Sequence, residues 1–405
     1  MVPDDFFGIS PDRSPLNPED FELLDDFNAT WIRTTVRWTG VEPKEGTWNF
    51  TYWDNYVAKA AAAEKKIIFG LGFDNTWLYS DNKEHRDLTD REIPYFLKYV
   101  EQLVSRYRDR VVFEIWNEPN WVFWDGSNEH FFALASATAK KIQEIYPDAV
   151  VLGGSTLRAP GRFTNGLFKS GAMENTDGYS FHPYAVNPQG SAKQIDKLIK
   201  IMDKYGYNKP IYVTEMGYST GPISFCNIKH YPEYIVKTLS GIAIRADRVR
   251  NVIWYELMDE HNPGEAPNPL NPLNYFGLIY PNKTFKPGAE AFMLTAHHLA
   301  GSEYAPELLQ REGVNKGITS LFFRKPDGTN TLILWKNSPG KQKLRLSVLG
   351  EAAELFGHSL LTGEAFPLPV EIPARTSLAS TAALEIGREP VFITWAGTGT
   401  PQLSK

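Results

Sequence analysis

The sequence predicts an α/β fold, a closed (β/α)₈ barrel followed by a small C-terminal antiparallel β-sandwich, and three observations carry that expectation. Short apolar or β-branched runs alternate with stretches of helical periodicity through eight repeats in about the first 300 residues. After Gly301 the texture changes to short runs separated by turn clusters such as Lys325-Pro326-Asp327-Gly328. The whole chain, at 405 residues with 42% hydrophobic and 22% charged side chains, has a globular composition and exceeds the ~250–300 residues at which one core stops growing.

The candidate strands run in order Phe7–Ser10, Trp31–Arg33, Lys66–Leu71, Val111–Trp116, Ala149–Leu152, Gly178–Phe181, Pro210–Thr214 and Asn251–Tyr255. Helical signals fall between them. Asp54–Lys66 has an Ala-rich interior, Asp90–Arg106 opens on acids and closes on bases, and Glu129–Tyr146 stops before Pro147. Ser191–Tyr205, Tyr231–Asp247 and Lys286–Leu299 continue the alternation. Parallel strands joined by crossover helices satisfy this pattern, because such strands cannot be linked by tight hairpins. The competing doubly wound open sheet would want Gly-x-Gly-x-x-Gly after the first strand, and none follows. The expected division is therefore a barrel over 1–300 and a sandwich over 301–405. Within the latter, Ser320–Arg324, Thr331–Lys336, Leu344–Leu349 and Pro390–Trp395 read as strands and Gly397–Lys405 as a loose tail.

Charge and cysteine content remove several function classes. Lys and Arg total 42 against 48 Asp and Glu, a formal charge of −6 without long like-charge runs, so no basic face for nucleic acid is expected. The most apolar windows, Val252–Tyr255 and Ile67–Phe73, are far short of the ~18 residues that cross a bilayer. A lone cysteine, Cys226, closes no intrachain disulfide, and neither Cys-x-x-Cys nor His-Glu-x-x-His spacing occurs, so redox and zinc motifs find no support. Met1-Val2-Pro3-Asp4-Asp5 lacks the basic and apolar regions of a secretory signal. An extracellular or periplasmic place is expected if a signal was removed, a cytoplasmic one otherwise. The oligomeric state is left open.

Aromatic residues make up 13% of the chain, with 11 Trp and 19 Tyr. Such an excess serves either a large aromatic core or flat platforms for sugar rings, whose C–H faces stack on indoles. In a barrel the strand C-termini carry the active site, so polar residues there take priority. Glu118 follows the fourth strand in Phe113-Glu114-Ile115-Trp116-Asn117-Glu118-Pro119-Asn120, and Glu215 ends the seventh in Val213-Thr214-Glu215-Met216. Strands four and seven lie on roughly opposite sides of the mouth. Two carboxyls ~5–5.5 Å apart would suit a retaining glycoside hydrolase, and ~6.5–9.5 Å an inverting one.

Trp116-Asn117-Glu118-Pro119-Asn120, with Phe123-Trp124 beyond it, Val151-Leu152-Gly153-Gly154 at strand five and Glu215 at strand seven, resembles glycoside hydrolase clan A. Within that clan of retaining (β/α)₈ glycosidases it is most similar to family 39 and related exopolysaccharide-cleaving endoglycosidases. The resemblance implies Glu118 as general acid/base and Glu215 as nucleophile. It implies Arg33 beside the nucleophile, Asn117 on the sugar 2-hydroxyl, His182 and Tyr184 as supporting polar groups, and Trp254 as the floor of the subsite on the non-reducing side. Trp77, Trp121 and Trp124, in the loops after strands three and four, are candidate platforms along a cleft. Asp259-Glu260-His261 after strand eight is a candidate contact for substrate or a cation.

The expected activity is cleavage of an oligo- or polysaccharide by double displacement, endo-acting, without metal or organic cofactor. An exo-acting β-xylosidase type is the near alternative. A non-hydrolytic carbohydrate-binding barrel is the alternative of another class, although both carboxylates stand. An aldolase or isomerase barrel would want a strand-end lysine or a phosphate loop, and neither is evident.

Overall fold

The computed structural model describes residues 1–11, 18–159, 161–260, 266–350, 354–370 and 379–405. Eight parallel strands close on themselves: β1 (Phe7–Ser10), β2 (Trp31–Arg37), β3 (Lys66–Gly72), β4 (Val112–Ile115), β5 (Val151–Leu157), β6 (Gly178–His182), β7 (Ile211–Met216) and β8 (Val249–Tyr255). β8 pairs back onto β1 in the register Phe7 with Val252 through Ser10 with Tyr255, which makes the sheet a barrel.

Period-two alternation sorts the strand residues into two packing layers. Outward-pointing Ile32, Val36, Phe69, Leu71, Phe113, Val213 and Trp254 join the main core between strands and helices. Inward-pointing Trp31, Ile68, Leu152, Tyr212 and Ile253 form a small separate cluster that plugs the barrel interior near the strand N-termini. Apolar filling thus ends partway up the bore, and polar side chains take over toward the strand C-termini.

The outer layer contains α1 (Pro18–Asp26), α2 (Trp38–Val41), α3 (Thr51–Ala62), α4 (Ile93–Tyr107), α5 (Asn128–Ile145), α6 (Gly161–Lys169), α7 (Pro188–Lys204), α8 (Tyr231–Ala243) and α9 (Gly288–Leu299). Helix α5 starts on Ser127, whose side chain accepts from the His130 amide, and α7 starts on Asn187, which caps Gly190 in the same way. Helices α1, α2 and α6 were not expected from the sequence. Helix α6 contains Asn165 and Gly166, poor helix formers, yet buries Phe163, Thr164 and Leu167. A Cβ at Gly166 would come within 2.6 Å of the Phe132 ring, so close packing on α5 decides this segment.

Past Leu299 the chain forms two sheets. β9 (Glu303–Tyr304), β10 (Gln310–Glu312), β11 (Ile318–Arg324), β12 (Thr329–Lys336), β13 (Gln342–Leu349), β14 (Phe356–His358), β15 (Ala365–Pro367), β16 (Ala379–Ile386), β17 (Val391–Ala396) and β18 (Thr400–Ser404) order as β10-β18-β13-β16 and β15-β14-β17-β12-β11-β9. The larger sheet is apolar on both faces. Phe322, Leu332, Leu334 and Ile393 fill the space between the sheets, while Leu321, Phe323, Ile333, Trp335 and Phe392 join the core of the barrel side. The segment expected as a loose tail contains a strand: β18 pairs antiparallel with β13 and parallel with β10, and Leu403 is fully buried.

Among the described residues, no helix is long and apolar enough to cross a membrane.

Candidate active site

A cavity of about 470 Å³ opens at the C-terminal ends of the barrel strands, lined by Arg33, Asn117, Glu118, Tyr184 and Glu215 among others. That volume is within the ~300–1,000 Å³ of small-molecule sites.

Arg33 lies on the inward face of β2 and organises the floor. Its Nε donates to Glu114 Oε2 at 2.7 Å, Nη1 to Glu215 Oε2 at 2.9 Å and Nη2 to Asn117 Oδ1 at 2.6 Å. Glu114 is fully buried and also accepts from Thr214 Oγ1 at 2.7 Å. Burial pushes its acidity down, but the Arg33 and His182 charges together with the hydrogen bonds from Thr214 and Arg33 outweigh that effect and hold the carboxyl below the usual carboxylate range. The sequence reading overlooked Glu114. Its signal was an acid in the middle of an apolar strand, on the inward parity, which requires a buried cation.

Two backbone irregularities aim the carboxylates. On a regular strand Thr214 and Glu215 would face opposite sides of the sheet. The β7–β8 register shifts between Val213 and Met216, and this bulge turns both consecutive side chains into the bore. After β4, Trp116 and Glu118 adopt left-handed backbone with φ of 67° and 43°, a strain of order 1–3 kcal/mol each. Local bonds hold that turn. The Trp116 indole donates to Phe123 O at 2.8 Å, and the Glu118 amide donates to Ser155 O at 2.8 Å.

His182 and Tyr184 come from the end of β6. His182 is fully buried with Nδ1 at 2.8 Å from Glu118 Oε1 and 3.8 Å from Glu215 Oε2. Burial works against a charge on this ring, but the Glu215 charge and the Glu118 hydrogen bond prevail and raise its pKa above the ordinary value. Its Nε2 has no hydrogen-bond partner among the described residues. The Tyr184 hydroxyl donates to Glu215 Oε1 at 2.8 Å, and burial together with the Glu215 charge pushes the phenol well up, so it stays a donor.

One ligand atom each of Glu118, His182 and Glu215 lies within 4.8 Å of the other two. The two carboxyl groups therefore share one end of the cavity, with Arg33 and Tyr184 both on Glu215 and His182 on Glu118. Such a trio has metal-ligand chemistry, but Arg33 at 2.9 Å from Glu215 already places a cation there, which disfavours a second.

The tryptophans divide. Trp121 is 57% exposed and lines the cavity as expected. Trp124 is buried against Trp116 with its indole on Ser127 O at 2.9 Å, and Trp77 packs on Trp38 with its indole on Glu42 O at 3.0 Å. Neither lines the cavity. Trp254 also corrects the expectation, since its outward parity buries it among Tyr218, Tyr231 and Phe292, and its indole donates to the Tyr231 hydroxyl at 3.2 Å. Its neighbour Tyr255, one residue on and inward, lines the cavity instead, with Phe276 packed on it at 5.3 Å. Asp259 is bound to Lys286 Nζ and the Gly277 amide, both at 2.8 Å, behind the cavity wall; His261 lies outside the described residues. Phe73, Phe123 and Arg37 also line the wall; none was a sequence-derived site candidate, although Phe123 stands within the motif that carries the resemblance.

Comparisons with known proteins bear on this geometry. Solved structures share the fold over nearly the whole chain at low identity. A family 39 glycoside hydrolase from Bacteroides cellulosilyticus WH2 is 19% identical, with a TM-score of 0.78 over 97% of this chain and 81% of that one. A monomeric β-xylosidase from Caulobacter crescentus is 16% identical with a TM-score of 0.67, covering 98% and 97%. A family 30 subfamily 8 xylanase from Clostridium acetobutylicum is 11% identical with a TM-score of 0.64, covering 98% and 97%. A comparison with curated proteins returned no match. The family model described as "Cellulase (glycosyl hydrolase family 5)" matches residues 13–254, more than half of the chain. The clan is the one expected from Trp116–Asn120 and Glu215; the family 39 likeness is one of fold. The chain is a glycoside hydrolase and belongs to the cellulase family, glycosyl hydrolase family 5, of clan A.

Proposed function

We propose that this glycoside hydrolase cleaves a β-linked oligo- or polysaccharide with retention, by double displacement. The observation that carries the reading is the facing of Glu118 and Glu215 within 4.8 Å, each in a different electrostatic setting. An approach of one oxygen of each carboxyl to within 4.8 Å supports a retaining pair, whose carboxyl groups lie ~5–5.5 Å apart, over an inverting pair at ~6.5–9.5 Å. Glu215, held by the Arg33 guanidinium and the Tyr184 hydroxyl, is set up as the ionised nucleophile. It attacks the anomeric carbon as the glycosidic C–O bond breaks, and Glu118 gives its proton to the departing oxygen. Glu118, then a carboxylate, takes a proton from the water that releases the sugar from Glu215. Asn117, aimed by Arg33 Nη2, is placed to bond the 2-hydroxyl.

Endo action rests on platforms beyond the reacting sugar, and Trp121 supplies one. With Trp124 buried and Trp77 packed against the core away from the cavity, a pocket-type exo-glycosidase is the second reading.

The test is Glu215→Ala on aryl β-glycosides. Turnover should fall below about 10⁻³ of wild type and be partly restored by azide, yielding the α-glycosyl azide. An active variant, or a rescue product of β configuration, refutes the nucleophile role. Sizing the first products from polysaccharide separates endo from exo cleavage.

A further inference from the structure

The wall of the cavity above β2 and β3 differs chemically from its floor. Arg33, Thr35 and Arg37 share the inward face of β2 and all line the cavity. Two pleats separate Arg37 from Arg33, about 13 Å along the strand, more than the span of one sugar ring. Arg37 therefore faces a neighbouring subsite and not the reacting sugar.

Arg37 lies in a stack. Its guanidinium carbon is 5.2 Å from the Phe73 ring centre, Phe73 stacks on Phe123 at 5.5 Å with 6° between planes, and Arg86 covers the two rings at 5.7 and 5.6 Å. Arg86 is committed, since its Nη1 donates to Val122 O at 2.9 Å and its amide to Asp74. Arg37 is not. Among the described residues its guanidinium makes no hydrogen bond. The nearest acid is Glu84, at 3.7 Å from Arg37 Nη1, which stands between it and Arg86 Nε at 4.0 Å. The Arg37 side chain is 55% exposed toward the mouth.

Contact with Phe73 restrains the guanidinium, and its N–H groups stay without a hydrogen-bond acceptor among the described residues. A fork of parallel N–H donors matches two carboxylate oxygens, whereas a sugar hydroxyl engages one donor only. We propose that Arg37 and the Phe73–Phe123 wall form a subsite for a carboxylate-bearing, uronosyl unit of the glycan beside the bond to be cleaved. The inference rests on the reading of Glu118 and Glu215 as the cleaving pair, and names the substrate class of that site.

The experiment compares wild type with Arg37→Gln on matched substrates. These are neutral β-glucan and xylan oligosaccharides, the C6-oxidised forms of the first and glucuronosyl-branched forms of the second. Wild type should cleave at least one uronosyl member with kcat/KM about 10-fold or more above its neutral match, a preference that shrinks as salt rises. In Arg37→Gln the ratio of uronosyl to neutral kcat/KM should fall by about 10-fold. Equal rates on every matched pair, or a preference that survives the substitution, overturns the proposal. Calorimetric binding to Glu215→Ala, with and without Arg37→Gln, separates the two readings. Arg37-dependent binding of uronosyl oligosaccharides by an enzyme that cleaves no β-glycoside sinks the cleavage reading and leaves the subsite. Cleavage of neutral substrates alone sinks the subsite and leaves the cleavage reading.

Discussion

Glu114→Gln is the substitution that most directly probes the floor of the cavity. It keeps the shape and the hydrogen-bond acceptor but removes one of the two carboxylate charges that the structure places on Arg33. Breaking a buried ion pair outright costs about 3–5 kcal/mol, because the survivor stays desolvated. Here Glu215 remains 2.9 Å from the guanidinium and the amide oxygen can still accept from Nε, so a loss of about 1–3 kcal/mol is expected. A barrel of about 300 residues unfolds with about 0.6 kcal/mol/K of entropy, so the melting transition at pH 7 should drop by about 2–5 °C. The sign of the pH dependence follows from the depressed acidity of Glu114. A carboxyl whose folded pKa is lowered contributes stability that is present above its unfolded value and lost as pH falls through its folded value. The difference between wild type and variant should accordingly be full at pH 6–7 and narrow as pH falls below about 4.5. Scanning calorimetry across that range is the assay. A variant as stable as wild type at pH 7, or a gap that does not narrow in acid, refutes the view that Arg33 needs this counter-charge.

Three further outcomes are expected. Tyr184→Phe removes the donor to Glu215 Oε1 and should lower kcat/KM on aryl β-glycosides by about 10- to 100-fold with little change in melting; a loss under twofold would show that the hydroxyl does no positioning. His182→Asn should cost more stability at pH 6 than at pH 9, since a histidine whose pKa is raised contributes below its unfolded value and loses the contribution as pH rises through the folded one; chemical denaturation at the two pH values reads this, and a larger cost at pH 9 contradicts it. Leu403→Asp buries a charge between the sheets and should destabilise the C-terminal sheets by about 3–5 kcal/mol, seen as an earlier calorimetric transition, whereas a free tail would tolerate it.

Much of the barrel was readable because a parallel strand buried on both faces leaves a dense apolar run; all eight runs overlap an observed strand, the fifth, Ala149–Leu152, by only half of its length. That Glu118 and Glu215 meet in one cavity was readable because an acid at a strand end in apolar surroundings has few structural uses. What escaped depended on parity and on tertiary contact. Trp254 and Tyr255 are adjacent aromatics, and composition cannot say which faces the bore; a shift of one residue exchanges core for cavity. Trp124 satisfies its indole on a carbonyl of its own loop and Trp77 on the Glu42 carbonyl of the loop after α2, partners that the aromatic pattern does not announce. β16 is rich in Ala, Ser and Thr and β18 is short and polar, so their strand character comes from pairing with β13. Arg37 went unnoticed since an arginine four residues beyond Arg33 declares itself only when the strand proves long enough to carry both.

The bulge in β7 has a bearing on redesign. An engineer who regularised that strand by deleting a residue would aim to keep its hydrogen bonding to β6, yet would rotate the Glu215 carboxylate out of the bore and into the helical layer. Insertion nearby would do the same in the opposite sense. The pairing of Glu215 with Arg33 and Tyr184 is thus tied to an imperfection, and libraries meant to preserve it should leave residues 213–216 untouched while varying the loops beyond them.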